Sequence, residues 1–346
     1  MCVDQEIGIQ GMRGWAAMGV LLFHISTRLS SSNLFFIVPL ALLRSGYSGV
    51  DLFFLISGYI LTRKMLSEDY KIKGKFNAVK YYIRRMSRIW PLYFISIPVL
   101  ALTFPTNIVW QQYLFIQNLF QSTFTLTPLW TIVIEELFYL ILPIWVFIFR
   151  KNWILSFASM LAFSFGYMAF LAFGLHTTAI TYYQYSQFPM FAIVYAFGTI
   201  IAMGKKYKLN IWYIAAVWLV FSLLYTNAQF TWFVPITFSI VYYLMLCNAD
   251  KSRLFTHKVS TFLGSLTYPI YLFGLPMQAI CMAIFGTSTF LWAPMTVLST
   301  ILLAFILHKF VEKPFIALGR NIEALIFGYD PKTLRNSGVA QVKQGI

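Results

Sequence analysis

Gly11-Met-Arg-Gly-Trp-Ala-Ala-Met-Gly-Val-Leu-Leu-Phe-His24 is an apolar stretch broken by one arginine and one histidine. Arg13 and His24 stand eleven positions apart. At ~100° and ~1.5 Å per residue, a helix places them within about 20° of one face and roughly 16 Å apart along the axis. Ionisable side chains inside a membrane are costly and turn toward a bundle interior or a wet cavity, so the pair is a functional candidate. The plainer alternative is that Arg13 reaches the headgroups along its aliphatic stem while His24 is a satisfied core histidine.

The surrounding composition fixes the medium. Of 346 residues 59% are hydrophobic, 19% are aromatic and 11% are charged, with a mean hydropathy of +0.71. A soluble domain carries roughly 25% charged residues. The net charge of +15 is accounted for by basic loops beside membrane helices, which set orientation and meet anionic lipid, so no nucleic-acid partner is expected. Cys2, Cys247 and Cys281 share no redox or metal-ligand spacing, and neither a disulfide framework nor a metal site is expected. The first apolar run follows an acidic tip, Asp4 and Glu6, without a basic leader or a small-residue cleavage site. It reads as a retained helix.

Apolar runs of spanning length predict an all-α, polytopic bundle of about ten helices near 9–29, 46–65, 89–108, 128–149, 153–173, 186–203, 211–226, 230–246, 262–285 and 290–310. Basic residues crowd the loop after the second helix, from Arg63 to Arg88, and every second loop thereafter. The opposite side holds only Arg28 and Arg44. The positive-inside rule then puts both termini in the cytoplasm, as an even number of spans requires. No repeat, linker or second hydrophilic domain interrupts the run. One membrane domain over 1–315 and a short cytoplasmic C-terminal tail over 316–346 account for the chain.

This topology gives each intramembrane polar residue a depth. Arg13 falls near the cytoplasmic face, beside Arg84, Arg85 and Arg88 at the start of the third helix. Arg85 and Arg88 are i and i+3 neighbours on one face, a spacing that suits phosphate groups. An ordinary positive-inside flank is the alternative. His24, Asp51 and the pair Glu135 and Glu136 fall in the outer half. Adjacent glutamates point about 100° apart, so only one can aim at the histidine. Asp51 serves equally well as a structural ion-pair partner between helices.

A cationic inner group joined by one helix face to an outer histidine and carboxylates suits a phosphorylated donor that enters from the cytoplasm and reacts near the far side. Acyl-coenzyme A has this shape. A neutral His24 is able to take the proton of an attacking hydroxyl, with Glu135 or Asp51 fixing its tautomer. An acyl-histidine intermediate is equally consistent with the residues. Rivals are a transporter or flippase that binds its cargo without chemistry, disfavoured by the absence of paired broken helices, and a glycosyltransferase, for which no paired-acid motif is seen.

Four motifs carry a resemblance to acyltransferase family 3, the bacterial integral-membrane acyltransferases of cell-surface polysaccharides. They are Arg13 with His24, Gly49-Val-Asp-Leu-Phe-Phe-Leu-Ile-Ser-Gly-Tyr59, Arg84-Arg-Met-Ser-Arg-Ile-Trp-Pro-Leu-Tyr93 and Trp130-Thr-Ile-Val-Ile-Glu-Glu-Leu-Phe-Tyr139. Leu263-Gly-Ser-Leu-Thr-Tyr-Pro-Ile-Tyr-Leu272 and Val311-Glu-Lys-Pro314 are weaker landmarks. The resemblance implies an O-acyltransferase, foremost an O-acetyltransferase, of the bacterial inner membrane. Acetyl-CoA would be the donor and the acceptor a glycan or lipid-linked glycan such as lipopolysaccharide O-antigen or its precursor, with no metal. It implies His24, Glu135 and Asp51 as catalytic residues and Arg13, Arg85 and Arg88 as donor-binding ones. Phe273-Gly274 stands where family members often carry a histidine, and Val133 and Leu137 replace a usual serine and glutamine beside Glu135.

Overall fold

The structure, a computed structural model, describes residues 3–29, 43–67, 70–72, 75–104, 108–120, 128–149, 151–175, 182–203, 234–249, 252–287 and 291–328. Among these, the principal helices are α1 (Val3–Ser26), α2 (Gly49–Leu66), α3 (Ala78–Thr103), α4 (Leu129–Phe149), α5 (Trp153–Ala169), α6 (Phe188–Ala202), α7 (Val234–Cys247), α8 (Lys258–Ser265), α9 (Thr267–Phe285), α10 (Trp292–Leu307) and α11 (Lys313–Phe327). The only sheet among the described residues is an antiparallel pair of two-residue strands, Lys71–Ile72 and Lys75–Phe76. Apart from this pair, the regular structure of the described residues is helical, as expected. The segment expected near 211–226 lies outside the described residues.

Among the described residues five helices are long and apolar enough to cross a bilayer: Ala78–Thr103, Leu129–Phe149, Trp153–Gly174, Thr267–Phe285 and Trp292–Phe327. Their exposed residues follow the helical period. On α4, Leu140, Ile144, Phe147 and Ile148 are exposed, and on α10 Leu298, Leu302, Phe305 and Ile306 form the same i, i+4, i+7, i+8 stripe. Apolar stripes of this kind are stable against lipid and unstable against water. The chain is a multi-pass membrane protein.

Two boundaries differ from the sequence expectation, for one reason. The third helix begins at Ala78 rather than 89, where the Asn77 side chain caps it by accepting from the Lys80 backbone N–H at 2.9 Å. The last helix continues past 310 through a π turn, His308–Glu312, into α11. A search for apolar runs stops at charges. Here those charges are neutralised by one another: Glu323, fully buried, accepts from Arg84 Nε at 2.6 Å and Nη2 at 2.9 Å and pairs with Lys80 Nζ at 3.6 Å. Ser87 on α3 touches Gly319 on α11, where a Cβ would collide with the hydroxyl. The seam between α3 and α11 is therefore zipped by ions at one end and by close approach at the other.

At the centre is α1, which meets neighbours backbone to backbone on two faces. On one face a Cβ on Gly11 would strike the Phe255 carbonyl, and one on Gly14 would lie 2.6 Å from the Gly264 nitrogen and 2.7 Å from the Ser260 oxygen. On the other face Gly46 packs on the Gly19 carbonyl, and a Cβ on Gly49 would stand 2.7 Å from the Ala16 oxygen. Small residues permit such approach, which is how membrane helices associate where no hydrophobic drive separates them from lipid. Trp15 Nε1 donates to Ser260 Oγ at 3.0 Å and reinforces the first face. Two apolar cores result, one built from α2, α4, α6 and α7 and the other from Ala17, Leu21 and Ile25 of α1 with Leu266, Ile270, Trp292 and Ala304.

Gly46→Ala is expected to destabilise the fold by about 1–3 kcal/mol through overpacking against the Gly19 backbone. Gly166→Ala, where nothing lies within 4 Å, is expected to be neutral or stabilising. Melting temperatures of the two purified variants check this, and equal melting points would show that the α1 seam is not tight.

Candidate active site

The glycine contacts set the relative depths. α1 and α2 run antiparallel with Gly19 against Gly46 and Ala16 against Gly49, so Asp51 stands level with about Gly14 of α1. α1 and α9 run side by side in the same direction, with Leu21 against Gly274 and the His24 carbonyl accepting from Gln278 Nε2 at 3.0 Å. His24 is thus at the far end of the described bundle. Asp51 lies ten residues below it along α1, roughly 15 Å at 1.5 Å per residue.

Glu135 lies deeper still. Its Oε1 accepts from Ser57 Oγ on α2 at 2.8 Å and from the Tyr139 hydroxyl one turn along α4. Arg13 and Arg85 are both close enough to Glu135 to interact with it electrostatically. The side chain of a helical residue leans toward the N-terminus, so the Arg13 guanidinium hangs from α1 toward this level. Arg88 and Glu312 are the remaining charged groups acting on Arg13. Arg85 places its guanidinium 6.0 Å from the Tyr139 ring centre, and its buried Nε has no hydrogen-bond partner. Arg88 Nε lies 3.8 Å from Glu312 Oε1.

Arg13 and Arg85 thus share Glu135, and Arg13 and Arg88 share Glu312. The expected outer group does not form. Glu135 belongs to the arginine level rather than to His24, Asp51 is intermediate in depth, and no charged group among the described residues acts on the His24 ring. The reason is the reach of the long Arg13 side chain together with the register of α2 on α1, which sets Asp51 level with about Gly14. Counting residues from a membrane face assigns depth to a Cα and not to the tip of a side chain. Asp51 occupies the first turn of α2, is 1% exposed, and has no hydrogen-bond partner on either carboxylate oxygen. Glu136 points from α4 toward Trp90 and Arg85 with one buried oxygen unpartnered.

The inner cluster also contains groups that the sequence reading gave no role. Ser57 and Tyr139 lie within quoted motifs, and Glu312 within Val311-Glu-Lys-Pro314, yet nothing in the motifs tells which group they touch. His308, whose Nδ1 is 2.8 Å from Glu312 Oε2, was visible only as an i, i+4 partner of that glutamate. No group of three or more metal-ligating side chains occurs among the described residues. Guanidiniums and hydroxyls with carboxylates that partly offset them are groups able to hold an anion through paired N–H and O–H donors.

A family model described as an acyltransferase domain matches residues 6–309. The chain belongs to this family. It is similar to a protein of Acidianus two-tailed virus named "Putative acetyltransferase ORF330", at 26% identity over 305 residues that cover 79% of this chain and 83% of that protein. It is also similar to O-acetyltransferase OatA of Staphylococcus aureus strain NCTC 8325, at 28% identity over 158 residues. That match covers 40% of this chain and spans only 24% of the length of OatA. No solved structure matches the chain.

The depth order is open to a direct check. With cysteine placed by His24→Cys and Gln278→Cys in a cysteine-free background, oxidation is expected to cross-link the pair. His24→Cys with Glu135→Cys is expected not to cross-link, and a bond there would return the carboxylate to the level of the histidine.

Proposed function

We propose that this acyltransferase is an O-acetyltransferase that takes the acetyl group of acetyl-CoA from the cytoplasmic side and transfers it to a sugar hydroxyl of a surface glycan. The observation that carries the reading is the set of carboxylates shared by Arg13, Arg85 and Arg88, with Arg13 on the same helix as His24, eleven residues away. The names of the two relatives supply the acetyl specificity. In this reading the guanidiniums hold the donor's phosphates through paired N–H groups. The extended thioester arm then follows α1 toward His24, a distance of roughly 16 Å.

The sugar oxygen attacks the thioester carbonyl carbon and loses its proton to a neutral His24 imidazole. The carbon–sulfur bond breaks as the new ester forms, and coenzyme A leaves as the thiol. A transient acyl-His24 is the second route, in which the imidazole rather than the sugar displaces the thiol. Glu135 then acts away from the histidine, ordering Arg13 and Arg85 with help from Ser57 and Tyr139. Asp51, buried between the two levels, is assigned to the path along α1. The membrane is the bacterial inner membrane with both termini cytoplasmic, and the acceptor is a polysaccharide such as lipopolysaccharide O-antigen or its lipid-linked precursor.

Purified protein in nanodiscs is expected to consume labelled acetyl-CoA and release coenzyme A when given extracted glycan precursor. His24→Ala, folded by chromatography and melting, is expected to lose transfer by at least about 10²-fold, the usual reach of general-base catalysis. Arg13→Ala, Arg85→Ala and Arg88→Ala are expected to raise the donor KM. Full turnover by His24→Ala would remove the histidine from the reaction, and three unchanged KM values would remove the arginines from the donor site.

A further inference from the structure

Glu312 ends the π turn His308–Glu312 that joins α10 to α11 and lies beyond residue 309, where the family match stops. It is 2% exposed, and a buried carboxylate is stable only when its oxygens are occupied. One oxygen lies 2.8 Å from His308 Nδ1 and the other 3.8 Å from Arg88 Nε. The same carboxylate is near enough to act on Arg13. Single π turns inside helices are frequent at functional sites. This one brings Glu312 to Arg88 on α3, with His308 beside it.

The four cations on the first half of α3 are thereby sorted. Lys80 and Arg84 are taken by Glu323, and they hold α11 in place. Arg85 has a buried Nε with no hydrogen-bond partner, whereas Arg88 is engaged on its Nε edge only, by Glu312. An arginine held at Nε presents its two Nη groups in a fixed direction, and a guanidinium fixed before binding loses less entropy when it grips a phosphate. We propose that Glu312 is a positioning residue for the donor site: braced by His308, it holds Arg88 so that the free edge of the guanidinium faces the phosphates. The proposal rests on the reading of Arg13, Arg85 and Arg88 as a coenzyme A site.

The test is binding of coenzyme A itself to the full-length protein in nanodiscs by calorimetry, with melting temperature read in parallel. Glu312→Ala is expected to weaken binding roughly tenfold, the size of coupling between two directly interacting side chains. Glu312→Gln, which keeps an acceptor for Arg88 and a donor for His308, is expected to recover most of that loss. In an Arg88→Ala background, Glu312→Ala is expected to add nothing further. Should Glu312→Ala fail to fold, Glu312→Asp, one methylene too short to reach both partners, carries the same expectation at about threefold.

Unchanged or tighter binding by Glu312→Ala overturns the proposal, because a carboxylate that merely opposes an anion would be better removed. Full additivity with Arg88→Ala overturns it as well, since the glutamate would then act elsewhere. A wild-type protein that binds no coenzyme A overturns the donor reading and this proposal with it. Wild-type binding with no loss in Glu312→Ala overturns the positioning role alone.

Discussion

The structure depends on how closely α1 can be approached. Backbone contacts at Gly11 and Gly14 on one face and at Ala16 and Gly19 on the other leave the helix no freedom to rotate or slide without collision. Packed interiors resist such shifts because their contacts are discrete. A rotation of one residue would turn Arg13 by about 100°, out of the cluster and into α2 or α8. Arg13 and His24 hold their directions because α1 meets its neighbours through residues with almost no side chain.

The second constraint is electrical. In a medium that solvates ions poorly, each buried charge needs a partner. The inner half of this protein answers with two separate devices. Glu323 closes Lys80 and Arg84 into a buried network that fastens α11 to α3. Glu135 and Glu312 stand among Arg13, Arg85 and Arg88 without saturating them. Glu323 accepts two bonds from Arg84, whereas the buried Arg85 Nε has no hydrogen-bond partner. His24 stands apart from both groups, in the last turn of α1.

Membership of the acyltransferase-domain family rests on a match over most of the chain, and the geometry adds what a motif match leaves out. The motifs around Arg13, Asp51, Arg85 and Glu135 are far apart in sequence, and each supplies a group near Glu135, the second through Ser57 rather than Asp51. Val311-Glu-Lys-Pro314, a minor landmark by sequence, contributes the carboxylate that reaches Arg88. At the departure Phe273-Gly274, a Cβ added to Gly274 would stand 2.9 Å from the flexible end of the Leu21 side chain.

The amino-acid sequence by itself determined the class of the fold and the identity of the chemical groups. Long apolar runs declare helices in lipid, and charges rare enough to count inside those runs mark the site. It also determined that Arg85 and Arg88 share a helix face, because that follows from helical periodicity alone. Where Ala78 starts α3 and how far the last helix runs were hidden, since both depend on a glutamate more than two hundred residues away neutralising the basic residues that otherwise end an apolar run. Which carboxylate meets which cation was decided only by tertiary structure. Periodicity gives a direction around one helix, whereas the depth of a side-chain tip depends on its length, its lean and the tilt of two packed helices. These place Glu135 beside Arg13 and leave His24 apart.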